Sequence, residues 1–215
     1  MTKNSVAGTV SSILGVYGGI LGFEHGIGEI LQGNLSVPTI RINAFGSAGL
    51  PFPFGHEPAM TLLPTFLLTG IVAALIALLI IIWSAFFTSK KLAPLMLLLL
   101  TILLLFVGGG YGPIPILILA VIAGFLARSQ FGISRKLPLI LCRFLALSWK
   151  WFVAMIFIIV LASILWGYVS GMNAPSFNRE TYTSLAMASG LFQVLFALLA
   201  VIAAAANDSL CTHVA

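Results

Sequence analysis

The sequence contains very few charged residues. Only 7% of its 215 residues are charged, whereas 60% are hydrophobic, and soluble domains carry about 25% charged residues. A water-soluble protein of this length could not solvate its surface with so few charges, so the composition excludes a soluble globular domain. A lipid bilayer removes that need. The composition therefore predicts an integral membrane protein whose principal partner is the lipid bilayer.

Cysteine and recognisable catalytic motifs are also scarce. The two cysteines, Cys142 and Cys211, have neither the spacing of a disulfide framework nor that of a metal motif. No Ser or Cys nucleophile stands in a pattern with a base, which makes an enzyme the less favoured class. The glycine run 108–110 lacks the Lys and Ser/Thr of a phosphate loop. We therefore expect no cofactor, no bound metal and no catalytic residue.

The net charge of +5 does not indicate a nucleic-acid partner, because the basic residues fall at the ends of predicted helices and form no single patch. Long hydrophobic runs predict an all-α bundle of about six transmembrane helices in one membrane domain, 1–215. The predicted spans are about 6–31, 60–87, 92–107, 114–127, 151–168 and 182–206. Between them lie an outer loop, 32–58, and a basic cytoplasmic segment, 128–150. No small-residue cleavage site closes the first run, so it is predicted to be an uncleaved span.

The distribution of Lys and Arg predicts the orientation. Six spans place both termini on one side, and eight of the 10 basic residues fall on that side. These are Lys3, Lys90, Lys91, Arg128, Arg135, Lys136, Arg143 and Lys150; the other two are Arg41 and Arg179. Because cytoplasmic loops carry the excess of basic residues, the N- and C-termini are predicted to be cytoplasmic, in a multi-pass protein of the cell membrane.

The basic segment before the fifth span has two interpretations. Lys136, Arg143 and Lys150 recur every seven residues with apolar residues between them, which places the three charges on one face of a helix. Such a helix can lie on the membrane surface. Alternatively, the segment extends the fifth span and its basic side chains reach back to the interface.

The first span carries the most unusual pattern, in a glycine-dense stretch from Gly15 to Glu29. At 100° per residue one broad face holds five glycines and the pair His25 and Glu29, while Glu24 lies to one side, one heptad after Tyr17. The five glycines are Gly15, Gly18, Gly19, Gly22 and Gly26. Small residues let helix backbones approach closely, so this face is predicted to be a packing surface into which the polar pair points.

A second packing surface is predicted in the sixth span. Ala186, Gly190 and Ala197 form a stripe of small residues that includes Gln193. We expect the first and sixth spans to pack together, since both offer small faces. Gln193 is interpreted either as a hydrogen bond between helices or as a contact for a solute in a central cavity.

The ionisable residues of the first span and the outer loop predict a candidate polar or ion site. With cytoplasmic termini, these groups and the end of the outer loop converge at an outward-facing mouth. The candidate residues are Glu24, His25, Glu29, His56, Glu57 and Gln193. Three interpretations remain open: groups that only cap and cross-link helices, a path for protons, cations or polar solutes, and a metal site of His25, Glu29, His56 and Glu57.

The leading functional hypothesis is transport of a small solute, ion or proton. The alternative is a non-catalytic membrane subunit or scaffold, and the third hypothesis is an intramembrane metal-dependent enzyme. A homo-oligomer and a complex with another membrane subunit are both open.

Overall fold

A computed structural model describes residues 5–44, 58–128, 139–173 and 179–213. These residues form six helices and two short strands. The elements are α1 Val6–Leu31, β1 Arg41–Asn43, β2 Pro58–Met60, α2 Phe66–Phe86, α3 Ala93–Phe106, α4 Pro113–Leu126, α5 Leu139–Asn173 and α6 Arg179–His213. The predicted helical class is confirmed, and four of the described helices are long and apolar enough to span a membrane.

Four of the described helices, α1, α2, α5 and α6, are long and apolar enough to cross a membrane. The other two, α3 and α4, have 14 residues each. At 1.5 Å per residue each is about 21 Å long, which is shorter than a hydrocarbon core of about 30 Å. The two short helices contact each other and are joined through residues 107–112. Six predicted spans thus correspond to four full-length helices and a hairpin of two short ones.

The second predicted span begins later than expected. It was predicted from residue 60, but α2 begins at Phe66. Pro64 disfavours helical backbone at the residue before it, and Thr65 caps the helix by accepting a hydrogen bond from the Leu68 backbone N–H at 3.3 Å. The residues before Pro64 enter a strand instead.

A small antiparallel sheet lies beside the ends of α1 and α2, and the all-α prediction misses it. Its register pairs Arg41 with Met60, Ile42 with Ala59 and Asn43 with Pro58. Gln32, which ends α1, donates from Nε2 to the carbonyl oxygens of Asn43, at 3.0 Å, and Ala44. The sheet is thereby tied to the end of α1 that carries Glu29.

The described part of the basic segment extends the fifth span. α5 runs without interruption for 35 residues from Leu139 to Asn173, so Arg143 and Lys150 belong to the same helix as the predicted span 151–168. Residues 129–138, which include Arg135 and Lys136, lie outside the described residues. α6 also has 35 residues and exceeds the predicted span 182–206 at both ends.

α1 is the central helix of the bundle, and it contacts α2, α4 and α6. Contact between α1 and α6 was expected from the sequence and is confirmed. The closest approach is between α1 and α2, where a Cβ added to Gly26 would lie 2.8 Å from the Ala74 backbone nitrogen and 2.9 Å from the Gly70 carbonyl oxygen. Only glycine lets the two backbones come this close.

Polar contacts connect several elements at the end of the bundle where α1 begins and α6 ends. At one end the Asp208 carboxylate of α6 accepts hydrogen bonds from the backbone N–H groups of Val6, at 2.7 Å, and Ala7, at 3.0 Å. The Arg128 guanidinium donates to the carbonyl oxygens of Thr88 and Lys90 at this same end. The beginning of α1 and the end of α6 therefore lie together on one side of the bundle. The cytoplasmic assignment of that side stays a prediction.

Candidate functional site

A glycine turn joins α3 to α4 at the end of the bundle opposite to Asp208. Gly108 has φ 97° and Gly110 has φ 77°, values in the left-handed region that glycine adopts readily and other residues do not. The Gly108 N–H donates to the Met60 carbonyl at 2.8 Å, and the Tyr111 N–H donates to the Pro58 carbonyl at 3.1 Å. The turn is therefore fixed against strand β2.

The carboxyl group of Glu29 is buried under this turn. Glu29 has 0% exposure, and both of its carboxyl oxygens are buried without a hydrogen-bond partner. A Cβ built on Gly108 would overlap both oxygens and the methyl carbon of Thr69 on α2. The carboxyl group thus packs against the Gly108 backbone beside a methyl group, and the part of the chain that the structure describes places no donor within hydrogen-bond distance of it.

His25 lies one helical turn before Glu29 and faces the second glycine of the turn. It is 3% exposed, and its Nδ1 lies 3.0 Å from the Leu21 carbonyl oxygen. Since a carbonyl only accepts, Nδ1 carries a proton and Nε2 is the nitrogen at which the neutral ring takes up a second proton. A Cβ built on Gly110 would overlap Nε2. Gly108 and Gly110 thus cover Glu29 and His25 respectively.

Two buried hydroxyl groups lie on the α2 side of the site. Thr61 Oγ1 and Thr69 Oγ1 are 3.1 Å apart and hydrogen-bonded to each other, and both residues are buried. Sequence reasoning missed these threonines and the two turn glycines. The signal that could have found them is the glycine triplet between two helices too short to cross a bilayer.

Gln193 belongs to a different polar network. It accepts a hydrogen bond from the Tyr17 hydroxyl, and its Nε2 donates to Ser189 Oγ at 3.1 Å. Ser189 Oγ in turn lies 2.7 Å from Ser163 Oγ on α5. This network joins α1, α6 and α5 about two helical turns from His25 along α1. Gln193 therefore forms hydrogen bonds that link helices, while its second role, contact with a solute, stays a prediction.

The other candidate polar residues of this region are Glu24, His56 and Glu57. Glu24 is half-buried, whereas its neighbour His25 is buried, as expected for a residue to one side of the glycine face. His56 and Glu57 lie outside the described residues, so their predicted approach to Glu29 stays a prediction.

The predicted packing residues separate into two groups. The five glycines of α1 are buried, and a Cβ on any of them would meet a neighbouring helix at less than 3 Å. On α6, Ala197 is also buried. Ala186 and Gly190 are exposed, and a Cβ on Gly190 would meet nothing within 4 Å. Within the described chain, Ala186 and Gly190 are therefore not buried against a neighbouring helix.

The described residues contain no group of three or more His, Cys, Asp or Glu side chains that could hold a metal ion. The metal hypothesis also required His56 and Glu57, which are not described. The described geometry brings together one carboxyl group and one imidazole, which lie under the backbone of Gly108 and Gly110 respectively. Both groups can carry a proton, and neither is exposed.

No protein-family model, curated protein or solved structure matches this chain. The functional conclusion therefore depends on the geometry of the buried pair.

Proposed function

We propose that this chain is a membrane transport protein that moves an ion or a small solute, with Glu29 as its ion-binding group. The observation that carries the proposal is the Glu29 carboxyl group, which is fully buried and has no hydrogen-bond partner among the described residues. An isolated carboxylate in apolar surroundings is very costly unless it is neutralised. Ionisable residues inside membranes therefore tend to mark ion or solute pathways.

The depth of the glycine turn supports this proposal. α3 starts beside the basic Lys90 and reaches the turn after 14 residues, so the turn lies about 21 Å along the hairpin. A hydrocarbon core is about 30 Å thick. Irregular backbone at such depth is tolerated where it is buried in protein or lines a cavity, and interrupted helices are the places where many transporters bind ions.

Flux into liposomes tests the proposal. The purified protein would be reconstituted into liposomes that contain a pH-sensitive dye, and an ion or pH gradient would be imposed. We expect wild-type protein to dissipate the gradient and E29Q, which keeps the size of the side chain, to lose most of this flux. D208N is the matched control, because it also converts an acid to its amide but lies at the other end of the bundle. Folded E29Q with wild-type flux would contradict the proposal.

A second candidate is a non-catalytic membrane subunit or scaffold. The observation that favours it is the close packing of α1 against α2 at Gly26 and Gly70, which would hold the helices together whether or not anything is transported. This candidate expects no flux from wild-type liposomes across proton, Na⁺ and K⁺ gradients. It also expects substitution of Gly26 to disturb assembly more than substitution of Glu29.

A further inference from the structure

We infer that the ion bound at the buried site is the proton, taken up by Glu29 and exchanged with His25. This inference rests on the transport function proposed above and specifies its ion. It also adds His25 as a second proton-carrying group and assigns the glycine turn the role of separating the two groups from the outer side.

The contacts of the Glu29 carboxyl group favour a proton over a metal cation. A hard cation such as Na⁺ or Ca²⁺ is bound by several oxygen atoms that converge on it. Here the hydroxyls of Thr61 and Thr69 bond to each other, and the methyl group of Thr69 lies on the side of Gly108 where the carboxyl oxygens pack. The space next to the oxygens is so small that Gly108 cannot gain even one methyl group. A proton needs no additional space and removes the charge from the buried carboxylate.

The geometry of His25 fits a partner in proton exchange. The bond from Nδ1 to the Leu21 carbonyl fixes the ring and leaves the change of charge to Nε2. Residues four apart lie on the same face of a helix, so Nε2 and the Glu29 carboxyl both face the glycine turn. These two groups lie under Gly110 and Gly108 respectively.

The exchange moves one proton and conserves the charge of the pair. The O–H bond of the neutral Glu29 acid breaks, and an N–H bond forms at His25 Nε2. The products are a carboxylate and an imidazolium, whose charges compensate each other within one helical turn. No hydrogen bond joins Glu29 to His25, so the exchange requires the glycine turn to move or a water molecule to bridge the two groups.

The other ionisable groups of the described chain around this pair are few. α1 contributes Glu24, which is half-buried. Tyr111, which follows Gly110 in the sequence, is exposed, and so is Arg41 of β1. Glu24 is the nearest other acid along the same helix.

Infrared spectroscopy of the protein in lipid bilayers tests the inference without any transport assay. At neutral pH we expect a carbonyl band of a protonated carboxylic acid that shifts in D₂O, is absent from E29Q and persists in D208N. E29D keeps an acid at the site and is expected to move the band, which gives a second test if E29Q folds poorly. Exchanging choline for Na⁺ or K⁺ should leave the band unchanged.

Three outcomes would overturn the inference. They are an identical acid band in wild type and E29Q, loss of the band on adding Na⁺ or K⁺, and wild-type flux with unchanged pH dependence in H25Q. The acid band does not depend on flux. A normal band without flux would therefore contradict the proposed transport while the proton site stands, and normal flux without the band would contradict the proton as the bound ion.

Discussion

The carboxyl oxygens of Glu29 occupy the space that a side chain on Gly108 would need. The two residues are far apart in the sequence and come from the central helix and from the turn between the two short helices. The same glycine has a positive φ of 97°. Position 108 is therefore restricted to glycine by its backbone conformation and by the carboxyl group that it covers.

We expect G108A to destabilise the protein and to reduce flux. Overlap with the Glu29 carboxyl and Thr69 should cost about 1–3 kcal/mol, and the left-handed backbone about 1–2 kcal/mol more. The matched control is G112A, in the same connection, where a Cβ meets nothing within 4 Å and no positive φ is required. Chemical unfolding in detergent micelles measures the difference. Equal stability of the two variants would show that the turn is not closed over Glu29.

The close approach of α1 and α2 gives a second prediction. G26A places a methyl group 2.8 Å from a backbone nitrogen of α2, so the helices must separate, and we expect a loss of about 1–3 kcal/mol. G190A makes the same change in α6, where there is open space, and should be neutral or slightly stabilising because alanine favours a helix over glycine. Thermal unfolding of both variants measures the contrast. If G190A were the more damaging of the two, α6 would pack through this stripe against a partner absent from the described chain.

Asp208 caps the first helix from the far end of the chain. D208A removes the acceptor for the Val6 and Ala7 N–H groups, and loss of a cap costs about 0.5–2 kcal/mol. D208N keeps one of the two acceptor oxygens and places an amide NH2 where the other stood, so we expect a loss of stability that is smaller than that of D208A. Unfolding of both variants, together with protease cleavage at the N-terminus, reports the loss of the cap. Equal stability of D208A and wild type would mean that the cap contributes nothing.

Removal of the Tyr17–Gln193 hydrogen bond tests whether Gln193 has a structural role or a role in transport. Y17F removes the donor but keeps the ring that packs edge-on against Phe157 with centroids 5.7 Å apart. Hydrogen bonds between membrane helices contribute about 0.6 kcal/mol on average, so we expect a small loss of stability and unchanged flux. A large loss of flux in folded Y17F would place the Gln193 network in the transport path.

The glycine face of α1 could be predicted because it depends only on the spacing of residues along one regular helix. The predicted first span, 6–31, coincides with α1 Val6–Leu31, and the face computed at 100° per residue places Gly22, Gly26 and Glu29 together. Burial follows the same pattern in the structure. A regular helix converts sequence spacing directly into direction, so no knowledge of its neighbours was needed.

The elements that were not predicted depend on contacts between distant segments. Strands β1 and β2 have three residues each, too few to show a period of two, and the Pro at position 58 argues against a strand in the sequence. The glycine triplet 108–110 indicates a turn, but nothing in the local sequence indicates that Gly108 meets Glu29. The seven-residue spacing of Arg143 and Lys150 is compatible with a surface helix and with an extension of α5, so only the continuous backbone distinguishes the two.

The central claim is that the Glu29 carboxyl group binds the proton that is transported. An apolar carbodiimide reacts with protonated carboxyl groups in apolar surroundings, and mass spectrometry identifies the modified residue. We predict that the reagent modifies Glu29 in liposomes, that flux falls in proportion to this modification, and that D208N is inhibited like wild type. Flux that persists after complete modification of Glu29 would contradict the account.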